Sequence, residues 1–360
     1  MNEASETQTP LPDPTPPPPP SGGHGKRIWA TLAALTVSVT LLAWALKDVE
    51  FHAFVNNLRN ARLGPILLGV ALATSLFPLR VFRWSLLLRR PDGERLSWRA
   101  MWHSIAMGFM ANNLLPFRIG EVVRTVAVSR LGRVSFGAAF SSIAVERIFD
   151  GLALVFLLTV ALFLTDIPEG AAVSADAFTR AATIGGILSG GALVAAVLVV
   201  VFPRPAERLI ELLIRNDRWS SRLVGILEDL RHGMQALRSP ARVLGVVLWS
   251  VTLWLINGAS FYVMFWAFDI PINFAGALLM QGVLALGIAA PSAPGYVGVF
   301  EAAIKLVLVN LYGLNTDQVV AYALTYHITT FIPITLLGLW SVAKTGVGLT
   351  EMRRAVAAHE

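Results

Sequence analysis

The chain has 360 residues, of which 55% are hydrophobic and only 14% charged, with a mean hydropathy of +0.63. Soluble domains carry about 25% charge, so the composition excludes a soluble enzyme or nucleic-acid binder; at ~20 apolar residues per span it leaves room for roughly eight crossings. Cysteine is absent, which excludes disulfides, thiolate nucleophiles and Cys-ligated metals, and the net charge of +6, with 25 Arg among 29 basic residues, points to cytoplasmic loops and anionic headgroups.

Residues 1–25 form a separate element, with the run Pro16–Pro20, several Ser and Thr, and one isolated Leu11. Such a segment cannot bury a core and is expected to be a disordered cytoplasmic tail, either a plain spacer or a ligand for a proline-binding partner. It is not a signal peptide, because the polar part is too long and the following apolar stretch is a full span without a cleavage pattern. That stretch, Ile28–Leu46, has 19 residues without a charge and reads as the first transmembrane helix.

Five further spans follow at 63–88, 134–165, 181–203, 243–268 and 318–343. The second contains Arg80 and Arg83, the third Glu146, Arg147 and Asp150, and the fourth Gly186 and Gly190, suited to close helix packing. Between Pro205 and Pro240, Leu223, Ile226, Leu227, Leu230, Met234 and Leu237 recur at helical spacing with Arg between them. This is an amphipathic helix, 205–238, lying on the membrane or paired in a soluble hairpin.

Two apolar stretches are broken. Ala100–Phe117 ends in Asn112, Asn113 and Pro116, and Ile272–Phe300 is interrupted by Pro291, Pro294, Gly295 and Gly298. Charge decides how they run. The loop 204–242 holds eight Arg, whereas 166–179 holds only Asp166, Glu169 and Asp176. Positive charge marks the cytoplasmic side, so both termini (Lys26 and Arg27; Lys344, Arg353 and Arg354) read as inside and the number of full crossings is even. The six spans alternate correctly if the broken stretches, about 100–131 and 272–312, do not cross. Each is then a re-entrant helical pair, and the two open toward opposite faces. The loop 47–62 strains this scheme, because it falls outside yet holds Lys47, Arg59 and Arg62.

The broken stretches echo each other. In Asn113-Leu114-Leu115-Pro116-Phe117-Arg118-Ile119-Gly120-Glu121 and in Pro294-Gly295-Tyr296-Val297-Gly298-Val299-Phe300-Glu301, a proline is followed four residues later by a glycine and then by a glutamate. A base follows each, Arg124 and Lys305. Helix breaks within a membrane are tolerated where the freed backbone lines a cavity, and paired interrupted segments mark a transporter's binding region. Half-helix N-termini there suit phosphate or carboxylate.

Ionisable residues at the bilayer centre cost ~2.5–3.5 kcal/mol or more, so they pair, line water or work. Arg118, Glu121 and Arg124 share one helix face, a net positive site for an anionic phosphate, or else an interfacial cluster. Glu146 and Asp150 also share a face; they either serve the path or pair structurally with Arg147, Arg80 or Arg83. Glu301, with Lys305 behind it, is expected in a cavity, where a carboxylate can carry a proton. His103 and His327 are expected to be hydrogen-bonded structural residues, and the Trp residues to serve interfaces and packing.

The ordered set Arg83-Trp84, Asn113-x-x-Pro116-x-Arg118-x-Gly120-Glu121-x-x-Arg124, Glu146-Arg147-x-x-Asp150 and Pro291-x-x-Pro294-Gly295-x-x-Gly298-x-x-Glu301 resembles the lysylphosphatidylglycerol synthase transmembrane, or flippase-like, family. The resemblance covers about 28–345. It implies an all-α membrane domain, 26–345, that moves lipids between leaflets, followed by a cytoplasmic tail, 346–360. Some family members carry a soluble aminoacyl transferase. With about 17 residues after the last span, no such transferase is expected here, and lysylphosphatidylglycerol synthesis is not implied.

The leading expectation is therefore a non-enzymatic lipid flippase of the inner membrane without a cofactor or bound metal. Its cargo is a phospholipid or isoprenoid-linked lipid with an anionic phosphate headgroup, and nucleic acid is no partner. The candidate path residues are Arg83, Asn113, Pro116, Arg118, Gly120, Glu121, Arg124, Glu146, Arg147, Asp150, Pro294, Gly295, Gly298 and Glu301. A nucleotide-binding loop is absent, which argues against direct ATP drive. Two alternatives stand beside this. One is an integral-membrane lipid-modifying enzyme using Glu146 and Asp150, although no His-Glu-x-x-His or Gly-x-Ser-x-Gly motif is present. The other is a non-transporting partner of a lipid-modifying complex that docks through 205–238.

Overall fold

The computed structural model describes residues 24–90, 92–115, 119–165, 239–289 and 292–347, together with 180 and 191. The predicted span 181–203, the amphipathic helix 205–238, nearly all of both tails, and Pro116, Arg118 and Pro291 lie outside the described residues.

Ten α-helices make up the described chain: α1 His24–Leu46, α2 Phe51–Asn60, α3 Leu63–Leu87, α4 Trp98–Leu114, α5 Gly120–Gly132, α6 Phe136–Leu164, α7 Pro240–Phe265, α8 Phe274–Ala289, α9 Val299–Lys305 and α10 Thr316–Thr345. A π-helical turn, Leu306–Leu311, continues α9. Among the described residues the only β-pairing is one bridge, Arg89 with Arg95, which closes the α3–α4 loop. Local chemistry sets the ends. Ser97, Ser135 and Asn315 cap α4, α6 and α10 by accepting from backbone N–H groups in the first turn. Arg133 and Gly346 end α5 and α10 in the left-handed conformation. Large apolar side chains such as Leu63, Leu67, Phe163, Leu164, Leu244 and Leu248 stay exposed on the helix surfaces, as lipid contact requires.

Helices α3, α6, α7 and α10 are long and apolar enough to span and correspond to four of the six predicted spans. In α1, Leu35–Leu46 is the apolar stretch among the described residues. The segment Pro294–Leu311 also satisfies length and apolarity, but its packing is that of a hairpin arm. A Cβ at Gly287 would touch Val299 and Ala303, and one at Gly276 would lie 2.8 Å from the Tyr312 hydroxyl. The chain therefore doubles back along α8. Helices α4 and α5 do the same: Gly108 lies against Gly120 and Arg124, and Gly132 against Leu96.

Helix α10 measures how the two hairpins are arranged. From its N-terminal end, His327 bonds Glu301 and Gly295, the Phe331 ring lies beside Gly295, Thr335 bonds Asn113, Gly338 packs on Met110 and Ala106, and Ser341 bonds His103. The hairpins thus stack end to end along one helix, tip to tip. Their tips touch where Gly295 faces the Asn113 carbonyl. They enter from opposite faces, in the inverted arrangement expected from charge parity.

Each face is tied together. At one, Arg62 pairs with Asp269, the Glu50 amide donates to Asp317 Oδ1 at 2.7 Å, and Gln318 Nε2 donates to the Phe268 carbonyl at 2.5 Å. At the other, Leu96 meets Gly132, Val347 packs with Val123, Ala127 and Leu131, and Arg89 neighbours Arg95 and Arg242. Burial, added to the repulsion of those two guanidiniums, lowers the Arg89 pKa. Of the basic residues in the loop 47–62, Arg62 has an acidic partner in Asp269.

Among the described residues, two large apolar cores stand beside two smaller clusters. One joins Phe77–Leu88 of α3, the middle of α4, the first half of α6 and the start of α7. The other joins the end of α7 with α8, α9 and Val319–Tyr326 of α10. Helices α3, α7 and α10 run through both.

Candidate functional site

Two polar assemblies occupy this interior. The first begins with glycine. A Cβ at Gly120 would collide with the Gly108 carbonyl and the Asn112 amide, so α4 and α5 meet backbone to backbone. The Gly120 amide donates to Asn112 Oδ1 at 2.8 Å. This approach carries Arg124, one turn on, into the bundle. There it does not pair with Glu121. Its Nη1 and Nη2 donate to Glu146 Oε1 and Oε2 at 2.7 and 2.8 Å, a bidentate pair, and its guanidinium carbon lies 3.7 Å from the centroid of the Trp84 ring. Of the expected face of Arg118, Glu121 and Arg124, Arg124 has its charge matched by α6, Glu121 stays half-buried on the first turn of α5, and Arg118 lies outside the described residues.

Glu146 is shared. Arg83 Nη2 lies 3.1 Å and Arg147 Nη2 2.7 Å from its Oε1. Arg83 also grips Asp150 through both Nη atoms and donates to Ser250 Oγ at 3.0 Å, while Arg147 reaches Asp150 Oδ2 at 3.0 Å. Three guanidiniums therefore meet two carboxylates, joining α3, α5, α6 and α7. The Arg83 and Glu146 side chains are fully buried, whereas Arg147 is 40% exposed. Both Arg83 Nε and Arg124 Nε are buried without a hydrogen-bond partner. Arg80, the other expected partner of the carboxylates, instead lies over the Phe109 ring at 4.8 Å. The structural pairing considered from sequence is present here, through Arg83 and Arg147.

The second assembly is the tip of the α8–α9 hairpin. Pro294 opens a single 3-10 turn, and Gly295 and Gly298 take φ values of 69° and 87°. Both positions need glycine. A Cβ on Gly295 would strike the Phe331 ring, and one on Gly298 would overlap the Ser38 carbonyl of α1. Ser38 Oγ accepts from the Ala293 amide at 2.8 Å. Glu301 is buried and bridges two partners: its Oε2 accepts from the Gly298 amide at 2.7 Å, and its Oε1 lies 2.7 Å from His327 Nδ1. The other ring nitrogen, Nε2, lies 2.8 Å from the Gly295 carbonyl. Phe300 stacks on the imidazole at 4.3 Å between centroids. Asn113, from the other tip, donates to Thr335 Oγ1 at 3.0 Å.

Lys305 does not support Glu301. Its ammonium donates to the carbonyls of Trp44, Ala45 and Lys47 at 3.0, 3.2 and 2.9 Å and so caps the end of α1. Sequence reasoning assigned His327 a purely structural hydrogen bond and missed its place beside Glu301 and Gly295. The available signal was a histidine inside a span that is otherwise free of charge. Ser38 and Ser250 carried no signal, because each becomes relevant only through a partner on another helix.

A family model described as the lysylphosphatidylglycerol synthase TM region matches residues 31–338. The chain belongs to that family. The proteins it is similar to are distant. The glycosyltransferase AglD of Haloferax volcanii is 22% identical over 346 residues, which are 89% of this chain and 55% of the relative, so the chain spans little more than half of that protein. A UPF0104 membrane protein of Methanocaldococcus jannaschii is 23% identical over 233 residues, 63% of this chain and 90% of the relative. Another, of Methanothermobacter thermautotrophicus, is 23% identical over 336 residues, 88% and 96% of the two chains.

Proposed function

We propose that this family member is a lipid flippase that carries a phosphate-bearing lipid, a phospholipid or an isoprenoid-linked one, between leaflets. The observation that carries this reading is the meeting of two broken helical hairpins, tip to tip, in the interior of the bundle. Interrupted helices entering from opposite faces support alternating access around a central site. The glycosyltransferase among the relatives favours a cargo handled where sugars are transferred.

The hinge positions fit the same mechanism. Pro78 of α3 and Pro333 of α10 each remove one helical hydrogen bond, freeing the Thr74 and Thr329 carbonyls. On α10, Pro333 falls between the two apolar cores, whose members there are Tyr326 and Ile334, and on α3 the freed Thr74 carbonyl lies between Val70 of one core and Phe77 of the other. Bending there moves one hairpin relative to the other without unpacking either core. Arg147, the exposed arginine of the ionic cluster, is the side chain best placed to meet a headgroup, with Arg118 as the remaining candidate from sequence. The face holding Arg89, Arg90, Arg95, Arg133, Arg242 and Lys344 is assigned to the cytoplasm of the inner membrane.

An enzymatic reading through Glu146 and Asp150 is less favoured, because arginines saturate both carboxylates and neither is left to take a proton. The test is leaflet exchange of labelled phospholipids and a polyprenyl phosphate in liposomes holding the full chain. Exchange should be lost in Glu301→Gln and reduced at least tenfold in Arg147→Ala. Exchange that persists unchanged in both variants would remove the reading.

A further inference from the structure

The geometry around His327 points to a second ligand besides lipid, namely a proton. The Gly295 carbonyl carries no hydrogen, so the imidazole Nε2 facing it at 2.8 Å must donate. The other nitrogen, Nδ1, faces a Glu301 carboxyl oxygen at 2.7 Å, a distance that requires a hydrogen between the two atoms. One proton is thus shared, whether it is drawn as imidazolium with carboxylate or as imidazole with carboxylic acid. Either way the pair is neutral and satisfied. Without that proton, a nitrogen lone pair would face a buried carboxylate between the rings of Phe300 and Phe331, which is costly.

We propose that Glu301 and His327 form a proton-binding site whose bound proton holds the tip of the α8–α9 hairpin against α10. The two side chains grip this tip at two backbone points, the Gly295 carbonyl through His327 and the Gly298 amide through Glu301. The shared proton closes the link between those points. As pH rises and the proton leaves, the His327–Glu301 bond opens, and the His327–Gly295 bond alone then ties the tip to α10 beside the Asn113 contact. At low pH the attachment is complete.

Neighbouring ionisable groups have partners of their own. On α9, Lys305 is held by the end of α1; on α10, Tyr326 bonds Ser260 at 2.6 Å and Tyr322 bonds the Phe261 carbonyl of α7 at 3.4 Å. Arg80 of α3 lies over Phe109, and α4 brings the neutral Asn113 to the tip, with His103 remote at Ser341. From α1 the neighbour is the hydroxyl of Ser38.

The inference supplies a coupling ion for the flippase reading, but its test does not depend on transport. The full chain, labelled with 15N-histidine, is placed in nanodiscs and its six histidines are followed by NMR from mildly acidic to mildly alkaline pH. The His327 resonances are identified by their loss in His327→Gln. Nε2 should stay protonated throughout, and Nδ1 should show a shared proton that disappears in Glu301→Gln. Amide exchange of 292–298, corrected for the intrinsic pH dependence, should lose protection at alkaline pH in the wild type and be insensitive to pH in Glu301→Gln. His103→Gln should behave as wild type, which controls for folding. A His327 that titrates like a free imidazole in both proteins, or tip protection with the same pH dependence in both, would overturn the proposal. If the shared proton is found but no tested lipid moves, the proton site stands and the flippase reading falls. Lipid exchange with an indifferent His327 gives the reverse.

Discussion

Single buried charges show how this chain accommodates ionisable groups in an apolar interior. Glu146 accepts hydrogen bonds from Arg124 and Arg147 and forms an ion pair with Arg83, partners on three helices, and its own side chain is fully buried. Removing its charge leaves Arg124 and Arg83 partly unmatched, and breaking a buried ion pair in this way costs about 3–5 kcal/mol. Glu146→Gln should therefore lower the thermal unfolding midpoint clearly, measured by tryptophan fluorescence in detergent, since Trp84 lies beneath Arg124. The exposed Arg147→Gln should lower it much less. Equal losses would mean that Glu146 is not the hub of the cluster. The sequence marked every charged member of this cluster, because charges inside apolar runs are conspicuous. It did not reveal who pairs with whom. Arg124 lies three residues from Glu121 but pairs with Glu146, 22 residues away, because the Gly108–Gly120 approach rotates α5 toward α6.

At the level of elements, the two broken hairpins and the proline-bearing helices divide the work. The hairpins interrupt the membrane, while α3 and α10 run past both and connect the two cores. Restoring the missing hydrogen bond in α10 with Pro333→Ala should stiffen the helix between His327 and Thr335. The expected outcome is a more stable protein whose lipid exchange is slowed several-fold with little change in binding. An unchanged exchange rate would show that α10 does not bend during the cycle. The spans α3, α6, α7 and α10 were legible within a few residues because length and apolarity define a crossing directly. The hairpins were legible as breaks, from Pro and Gly placement. That their tips touch was not, since it depends on the register of both along α10.

For the whole molecule, the two faces differ in charge. Arg95 and Arg133 lie with Arg89 and Arg242 on one face, and Arg62 with Asp269 on the other. The chain has no cysteine, so single substitutions give a clean readout. In inverted and right-side-out vesicles, Arg133→Cys should react with an impermeant maleimide from the cytoplasmic side, and Arg62→Cys from the opposite side. Labelling of both from one side would overturn the inverted arrangement, and labelling with exchanged sides would reverse the orientation.

Taken by itself, the sequence determined that the chain is an all-helical membrane protein, where four of its long helices lie, that two segments are broken and which charges are buried. Each of these follows from composition, local periodicity or the cost of placing one charge in lipid, and none needs a distant partner. Only the tertiary structure decided that Arg124 belongs to Glu146, that Lys305 caps α1, that Asn113 meets Gly295, and that His327 bonds Glu301. Those outcomes depend on helix rotation and on the register of packed hairpins. Long-range packing sets both, and local sequence patterns mark the glycines involved without naming what they touch.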